Sequence, residues 1–131
     1  MSTTISAKAI ARGVTQTPRK VGLVAGLVRG RTVADALVIL EHTPRRAAKP
    51  VAKVIASAAA NATNTFGAQQ DTLKIESLQV TSGPRLKRFR PIARGSANAY
   101  MKRTSHIHVV VSGEPKPKKK PASKAAVKEA K

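Results

Sequence analysis

The densest concentration of side chains that could do chemistry lies between Arg85 and Arg103. This stretch carries seven Lys or Arg residues and no acid, whereas surface loops usually mix both signs of charge. Guanidinium and ammonium groups bind phosphate oxygens, and the release of condensed counterions drives that binding. A β-like run precedes the stretch (Leu73 to Val80) and another follows it (Ile107 to Val111). The sequence therefore predicts a basic arm, carried by two strands, that enters a nucleic acid.

Two chemical types are present in the predicted arm. The cations suited to phosphates are Arg85, Lys87, Arg88, Arg90, Arg94, Lys102 and Arg103. The aromatic residues Phe89 and Tyr100 could stack on the bases or riboses of single-stranded or looped RNA. Outside the arm we expect RNA contacts from Arg12, Arg19, Lys20 and His106.

Catalysis and metal binding find little support. The six acids are scattered, and the absence of cysteine excludes disulfides and thiolate ligands. His106 and His108 share one strand face, but no suitable third ligand is near them in sequence, so polar contacts at the base of the arm are the better interpretation. His42 at a helix end is interpreted as a cap or an RNA contact. We expect no enzyme activity, no cofactor and no metal site.

Composition limits both the core and the partners. The 131 residues suggest one small domain with tails, and a formal charge of +19 indicates a polyanionic partner. Nucleic acid fits best, because the basic residues are spread along the chain. The only aromatic residues are Phe66, Phe89 and Tyr100, so Val, Ile, Leu and Ala must build the core. No secretory signal is evident and no apolar run approaches the ~20 residues of a membrane helix, so we expect no membrane partner.

The first predicted helix covers residues 18–29 and follows a short strand over residues 3–12. Thr17-Pro18 is typical of a cap followed by proline at the first helical position, and Gly30 is a plausible end. Two glycines, Gly22 and Gly26, lie inside this helix at a cost of ~1 kcal/mol each. Our hypothesis is that they allow close approach of another backbone, either a helix or RNA.

Two more helices are predicted before the arm. Thr32 and Asp35 are spaced as in a capping box and predict a helix over residues 33–42. Thr43-Pro44 predicts a third helix, which ends near Ala62 and is followed by a loop over residues 64–67. Pro50 either kinks this helix or marks its true start after a turn.

The strands on either side of the arm predict how it is built. Leu73 and Ile75 alternate in one phase and Leu78 and Val80 in the other, which indicates a bulge. If the last strand pairs with this one, Val80 lies opposite Val110 or nearby, and the tip falls near residues 94–95. The predicted fold class is α+β: three helices packed on a small antiparallel sheet, with a long extended basic β-hairpin.

The Lys/Pro/Ala-rich end of the chain is the last predicted segment. Residues 114–131 contain seven Lys and few apolar side chains, so we predict a disordered basic tail that acts as an electrostatic anchor. Residues 1–113 then form a single domain.

Three stretches carry a family resemblance. In chain order they are Arg19-Lys-Val-Gly-Leu-Val-Ala-Gly-Leu-Val-Arg-Gly30 with Val33-Ala-Asp-Ala-Leu37, then Lys53-Val-Ile-Ala-Ser-Ala-Ala-Ala-Asn-Ala62, then Gly83-Pro84, Lys87-Arg88, Pro91, Ala93-Arg94-Gly95 and Lys102-Arg-Thr-Ser-His-Ile-His-Val-Val-Val111. Together they cover about residues 5–112. On these motifs the chain resembles the bacterial-type family of large-subunit ribosomal protein number twenty-two.

This resemblance implies an α+β domain on the surface of the large subunit and a hairpin, roughly Ser82 to Thr104, that runs into 23S ribosomal RNA. It also implies a cytoplasmic, ribosome-bound monomer that supports subunit assembly beside neighbouring ribosomal proteins near the tunnel exit. The family's hairpin lines the nascent-peptide exit tunnel. Here the implied tunnel-lining tip is Arg90, Pro91, Ile92, Ala93, Arg94, Gly95 and Ser96.

Two hypotheses of function follow. The first is a structural, non-catalytic protein of the large ribosomal subunit. The alternative is a nucleoid-type, non-specific DNA-binding protein, suggested by the Lys/Pro/Ala tail. The alternative does not explain a basic arm on a compact helical domain that lacks a groove-reading helix.

Overall fold

The computed structural model describes residues 4–115, which form one strand, three helices and two long strands. The predicted α+β class is confirmed. The elements are β1 (Ile5–Val14), α1 (Pro18–Val28), α2 (Val33–His42), α3 (Ala48–Phe66), β2 (Lys74–Pro91) and β3 (Ala97–Gly113), with 3-10 turns at Gln70–Thr72 and Ala93–Gly95.

The sheet is antiparallel, in the order β1-β3-β2, so the last strand is central. Val80 pairs with Ile107, three residues from the predicted position at Val110. The register shifts between Ile75 and Ser77, which confirms the predicted bulge. This extra residue on β2 lets the apolar side chains on either side of it face the same core.

The core lies between the sheet and the helices. Ile107, Val109 and Val111 of β3 are fully buried, as their alternation predicts, and α3 packs on β1 and β3. The buried face of α3 includes Val51, Val54, Ile55, Ala58 and Ala62, which recur at helical spacing. Every buried hydrophobic residue in the described part of the chain is Ala, Val, Leu or Ile, as composition predicts.

The starts of the helices show which local sequence signals predicted them correctly. Asp35 N–H donates to Thr32 Oγ1 at 3.3 Å, so the predicted N-terminal cap of α2 is present. Thr17 precedes α1 but makes no side-chain capping bond. Pro50 is the third residue of α3, where its missing N–H needs no intrahelical acceptor, so the helix starts near it without a kink. The alternative of a kink was wrong.

The predicted loop over residues 64–67 was also wrong, because α3 continues to Phe66. The helix ends where Gly67 adopts a left-handed conformation (φ 63°) and donates its N–H to Thr63 O at 3.1 Å. Glycine takes this conformation without the steric cost that a Cβ imposes. The polar residues before Gly67 therefore belong to the last helical turn.

Gly22 and Gly26 are not packed against another helix. A Cβ added at either position would meet nothing within 4 Å. The helix-packing half of our hypothesis was therefore wrong, and the approach of RNA to this surface stays a prediction.

No helix within residues 4–115 is long and apolar enough to cross a membrane. The predicted tail lies outside the described residues from position 116 onward.

Candidate nucleic-acid interface

The basic arm is a β-hairpin that projects beyond the core. Its strands pair continuously from Arg85↔Arg103 to Pro91↔Ala97. At the tip, Ile92 N–H donates to Ser96 O at 2.8 Å, so the predicted turn near residues 94–95 is confirmed. Every residue from 84 to 103 is exposed. Because no apolar side chain of this segment is buried, its side chains are free to contact a partner.

A second bulge marks where the hairpin leaves the domain. The register shifts between Ser82 and Arg85, so Gly83 and Pro84 lie opposite Thr104 alone. Thr104 Oγ1 donates to Pro84 O at 2.8 Å. A Cβ added to Gly83 would lie 2.5 Å from Thr104 Oγ1. The close approach of β3 therefore requires glycine at this bulge.

The paired register divides the hairpin into two faces, because paired residues share a face and successive residues alternate. One face, which we call the Arg88 face, carries Leu86, Arg88, Arg90, Asn98, Tyr100 and Lys102. The opposite face, the Phe89 face, carries Arg85, Lys87, Phe89, Pro91, Ala97, Ala99, Met101 and Arg103. From position 88 to position 100 the paired cations all lie on the Arg88 face.

The two predicted stacking residues differ in their surroundings. Phe89 is 73% exposed and its ring is open to a partner. Tyr100 already has the Arg90 guanidinium over its ring, with Arg90 Cζ 4.8 Å from the ring centroid. This cation–π contact orders both side chains on the same face.

Arg94 occupies a conformation that arginine rarely adopts. Its φ of 56° and the φ of 74° at Gly95 place two consecutive residues in the left-handed region. A residue with a Cβ pays about 1–2 kcal/mol there, whereas glycine does not. A strained residue at an exposed tip is a common property of functional positions.

The predicted contact residues outside the hairpin fall in three places. His106 Nδ1 accepts the Gly13 N–H at 3.0 Å, which holds the irregular end of β1 against β3. This is the kind of polar contact expected at the base of the arm. Arg12 is exposed beside it, and Arg19 and Lys20 are exposed in the first turn of α1. His42 is exposed in the last turn of α2.

A cleft of about 510 Å³ brings three predicted contact residues, inside and outside the hairpin, together with two residues that sequence reasoning missed. It joins Lys20, Lys102 and Arg103 to Arg45 and Arg46 from the connection between α2 and α3. The pair Arg45-Arg46 was a visible signal, but only the fold brings it to the base of the hairpin.

Metal-ligating side chains do not cluster within residues 4–115, where no group of three His, Cys, Asp or Glu residues could hold an ion.

A comparison with known families gives a match that covers most of the chain. The family model described as Ribosomal protein L22p/L17e matches residues 9–112, from the middle of β1 to the end of β3. The chain belongs to this family. The match includes all three helices and the whole hairpin, so the resemblance drawn from three motifs is confirmed at the level of the family.

Membership in the L22p/L17e family implies a structural constituent of the large ribosomal subunit. The chain is therefore a ribosomal protein that acts in translation as part of a ribonucleoprotein, in association with ribosomal RNA and other ribosomal proteins. The family is structural and non-enzymatic. Of the two hypotheses, the match favours the ribosomal one.

Proposed function

We propose that this chain is a bacterial-type member of its family, and that its hairpin binds 23S ribosomal RNA in the cytoplasmic ribosome. The observation that carries the proposal is the shape and charge of the hairpin. Seven cations and no acid lie on a fully exposed two-stranded projection. A projection that buries none of its own side chains gains rigidity from a partner, and RNA phosphates supply the opposite charge.

The two faces of the hairpin suit different contacts. Arg88, Arg90 and Lys102 on the Arg88 face bind phosphates, and the contact with the Tyr100 ring limits the motion of Arg90. On the opposite face, Phe89 stacks on an unpaired base or ribose. One hairpin can thus lie between two RNA segments and fix their spacing, which supports subunit assembly.

We further propose that the tip, from Arg90 to Ser96, lines the nascent-peptide exit tunnel and contacts the passing peptide. The left-handed Arg94 supports this assignment, because its strain is easiest to explain if the side chain has a partner. The globular part, residues 1–113 without the hairpin, then lies near the tunnel exit beside other ribosomal proteins. The tail beyond it is proposed as an electrostatic anchor.

Co-sedimentation tests the ribosomal proposal. The tagged chain is expressed in bacterial cells, and ribosomal particles are washed at high salt. Retention on the large subunit at one copy per particle is expected. Loss to the soluble or nucleoid fraction overturns the proposal and favours the DNA-binding alternative. Filter binding adds a second criterion: at matched salt the chain should bind folded ribosomal RNA more tightly than duplex DNA.

Cross-linking tests the tunnel proposal separately. The chain has no cysteine, so Ala93→Cys places a single thiol at the tip. Ribosomes carrying this variant are stalled with a nascent peptide that contains one cysteine, and a bismaleimide is added. We expect a cross-link to the peptide from Ala93→Cys and none from the matched variant Lys8→Cys on β1. Equal cross-linking, or none from the tip, contradicts tunnel lining and leaves the ribosomal proposal standing.

A further inference from the structure

The cleft at the base of the hairpin is built from three segments that are distant in sequence. The first segment is the connection between β1 and α1 with the first turn of α1, the second is the connection between α2 and α3, and the third is part of β3. The lining residues, in that order, are Thr15, Gln16, Thr17 and Lys20, then Arg45, Arg46 and Ala47, then Lys102 and Arg103. Its volume of about 510 Å³ is in the usual range of ligand-binding clefts. It lies where the hairpin leaves the globular part of the chain.

Charge is the dominant property of this cleft. Five of the nine lining residues are Lys or Arg and none is acidic. All five cations are exposed, so an incoming anion can reach each of them. Five like charges around one space repel one another, and an anion that enters the space removes that repulsion.

Two helix starts add to the positive potential. The residues that precede α1 and α3, Thr17 and Ala47, both line the cleft, and neither makes a side-chain capping bond. No acid lies in the first turn of either helix, whereas α2 has Asp35 there. The N-terminal end of a helix carries a partial positive charge that an anion stabilises.

We infer that this cleft is a discrete site for phosphodiester groups of RNA, and that it clasps one backbone segment where that segment turns from the hairpin onto the globular part. The inference rests on the proposed function, since it takes ribosomal RNA as the ligand. Three of the five cations are arginines, whose planar guanidinium groups bind phosphate oxygens in pairs. Lys102 and Arg103 belong to the arm of β3, so RNA that follows the hairpin reaches the cleft without a break.

The clasp has a geometric consequence. Because the cations belong to three separate segments, a single RNA backbone contacts all of them only if it passes between them. A duplex is too wide to enter a space of about 510 Å³, whereas a single strand is not. The cleft therefore selects a sharply turned or single-stranded backbone over a straight duplex.

Two matched double variants test the inference. Arg45→Gln with Arg46→Gln removes two charges from the cleft. Lys49→Gln with Lys53→Gln removes two charges from a neighbouring groove between α2 and α3. Arg45 and Arg46 line this groove as well as the cleft, whereas Lys49 and Lys53 do not line the cleft. All four residues are exposed, and an unchanged denaturation midpoint verifies the fold of each variant. Binding to a transcribed fragment of large-subunit ribosomal RNA is then measured over a range of salt concentrations.

We expect the cleft variant to flatten the slope of log K against log salt by about 1.5, because each lost phosphate contact removes about 0.7–0.9 from the slope. The control variant keeps the wild-type slope. An equal loss in both variants, or no loss in the cleft variant, overturns the inference and leaves RNA binding intact. If the wild-type chain itself does not prefer ribosomal RNA over duplex DNA, the proposed function fails instead.

A short probe locates the site directly. A five-nucleotide single-stranded RNA is titrated into the full chain, and backbone amide shifts are followed by NMR. Shifts at Lys20, Arg46 and Arg103 that saturate with one dissociation constant support a single clasp. Shifts confined to the outer hairpin contradict it.

Discussion

At the scale of single residues, the stability of the fold depends on positions where the backbone geometry favours one residue type. The starts of α1 and α2 show a contrast between two threonines. Thr32 caps α2 through the Asp35 N–H and donates its hydroxyl to Asp35 Oδ2 at 2.6 Å. Thr17 occupies the same position before α1 without a capping bond. The same residue type therefore stabilises one helix and not the other.

This contrast predicts the stability of two alanine variants. Thr32→Ala is expected to lower the free energy of unfolding by about 1 kcal/mol, because it removes a helix cap. Thr17→Ala, the matched control, should change it by much less. Urea denaturation followed by far-UV circular dichroism measures both. Similar losses at the two positions would show that the capping bond of Thr32 adds nothing.

Alanine substitution at two glycines, Gly83 and Gly26, should change the stability of the free protein in opposite directions. Gly83→Ala places a Cβ 2.5 Å from Thr104 Oγ1 and 3.2 Å from the Thr104 carbonyl carbon, so we expect a loss of about 1–3 kcal/mol. Gly26→Ala adds a Cβ in open space within a helix, where alanine is more stable than glycine by about 0.5–1 kcal/mol. Thermal unfolding of the free protein should thus shift in opposite directions. A stabilising Gly83→Ala would contradict the tight packing at the hairpin base.

At the scale of elements, the hairpin is an independent projection whose faces depend on an unbroken register. Deleting Leu86 to Arg88 removes three residues from one arm, so Phe89 moves to the other face and the tip pairs are lost. The control deletes Leu86 and Lys87 with their partners Lys102 and Met101, which keeps every remaining pair and face. That control shortens the hairpin by about 7 Å.

Both deletions should leave the helices folded, since no hairpin residue from 84 to 103 is buried. We expect unchanged helical circular dichroism in both variants. Amide hydrogen exchange should show protection in the outer hairpin of the control only. Unfolding of α1 to α3 in either variant would show that the hairpin is part of the core rather than a projection from it.

The elements also show how much the sequence could predict. The phase slip between Ile75 and Leu78 predicted the bulge on β2. Side chains along a strand alternate between its two faces, so a change of phase in the apolar residues indicates an extra residue. The end of α3 was missed, since the polar residues before Gly67 are equally typical of a loop. The cleft could not be predicted, because it depends on how residues 15–20, 45–47 and 102–103 meet in space.

At the scale of the whole molecule, the net charge of +19 on 131 residues destabilises the folded state through repulsion between like charges. The same charge favours binding to the polyanion RNA. Salt screens both effects. The Debye length falls from about 30 Å at 0.01 M to about 3 Å at 1 M, so repulsion within the free protein weakens as salt is added. The same salt reduces the counterion release that drives binding to RNA.

The two effects predict salt responses of opposite sign. Between about 0.05 and 0.5 M sodium chloride, the thermal midpoint of the free chain should rise while its affinity for ribosomal RNA falls. A variant that ends at Pro115 lacks the seven lysines and one glutamate beyond it. Its midpoint should rise less over the same range, because it has less repulsion to screen. Scanning calorimetry measures the midpoints, and filter binding measures the affinity. A midpoint that stays constant with salt in the full chain would mean that its cations are too far apart to repel one another, and the electrostatic account of the cleft would then lose its main support.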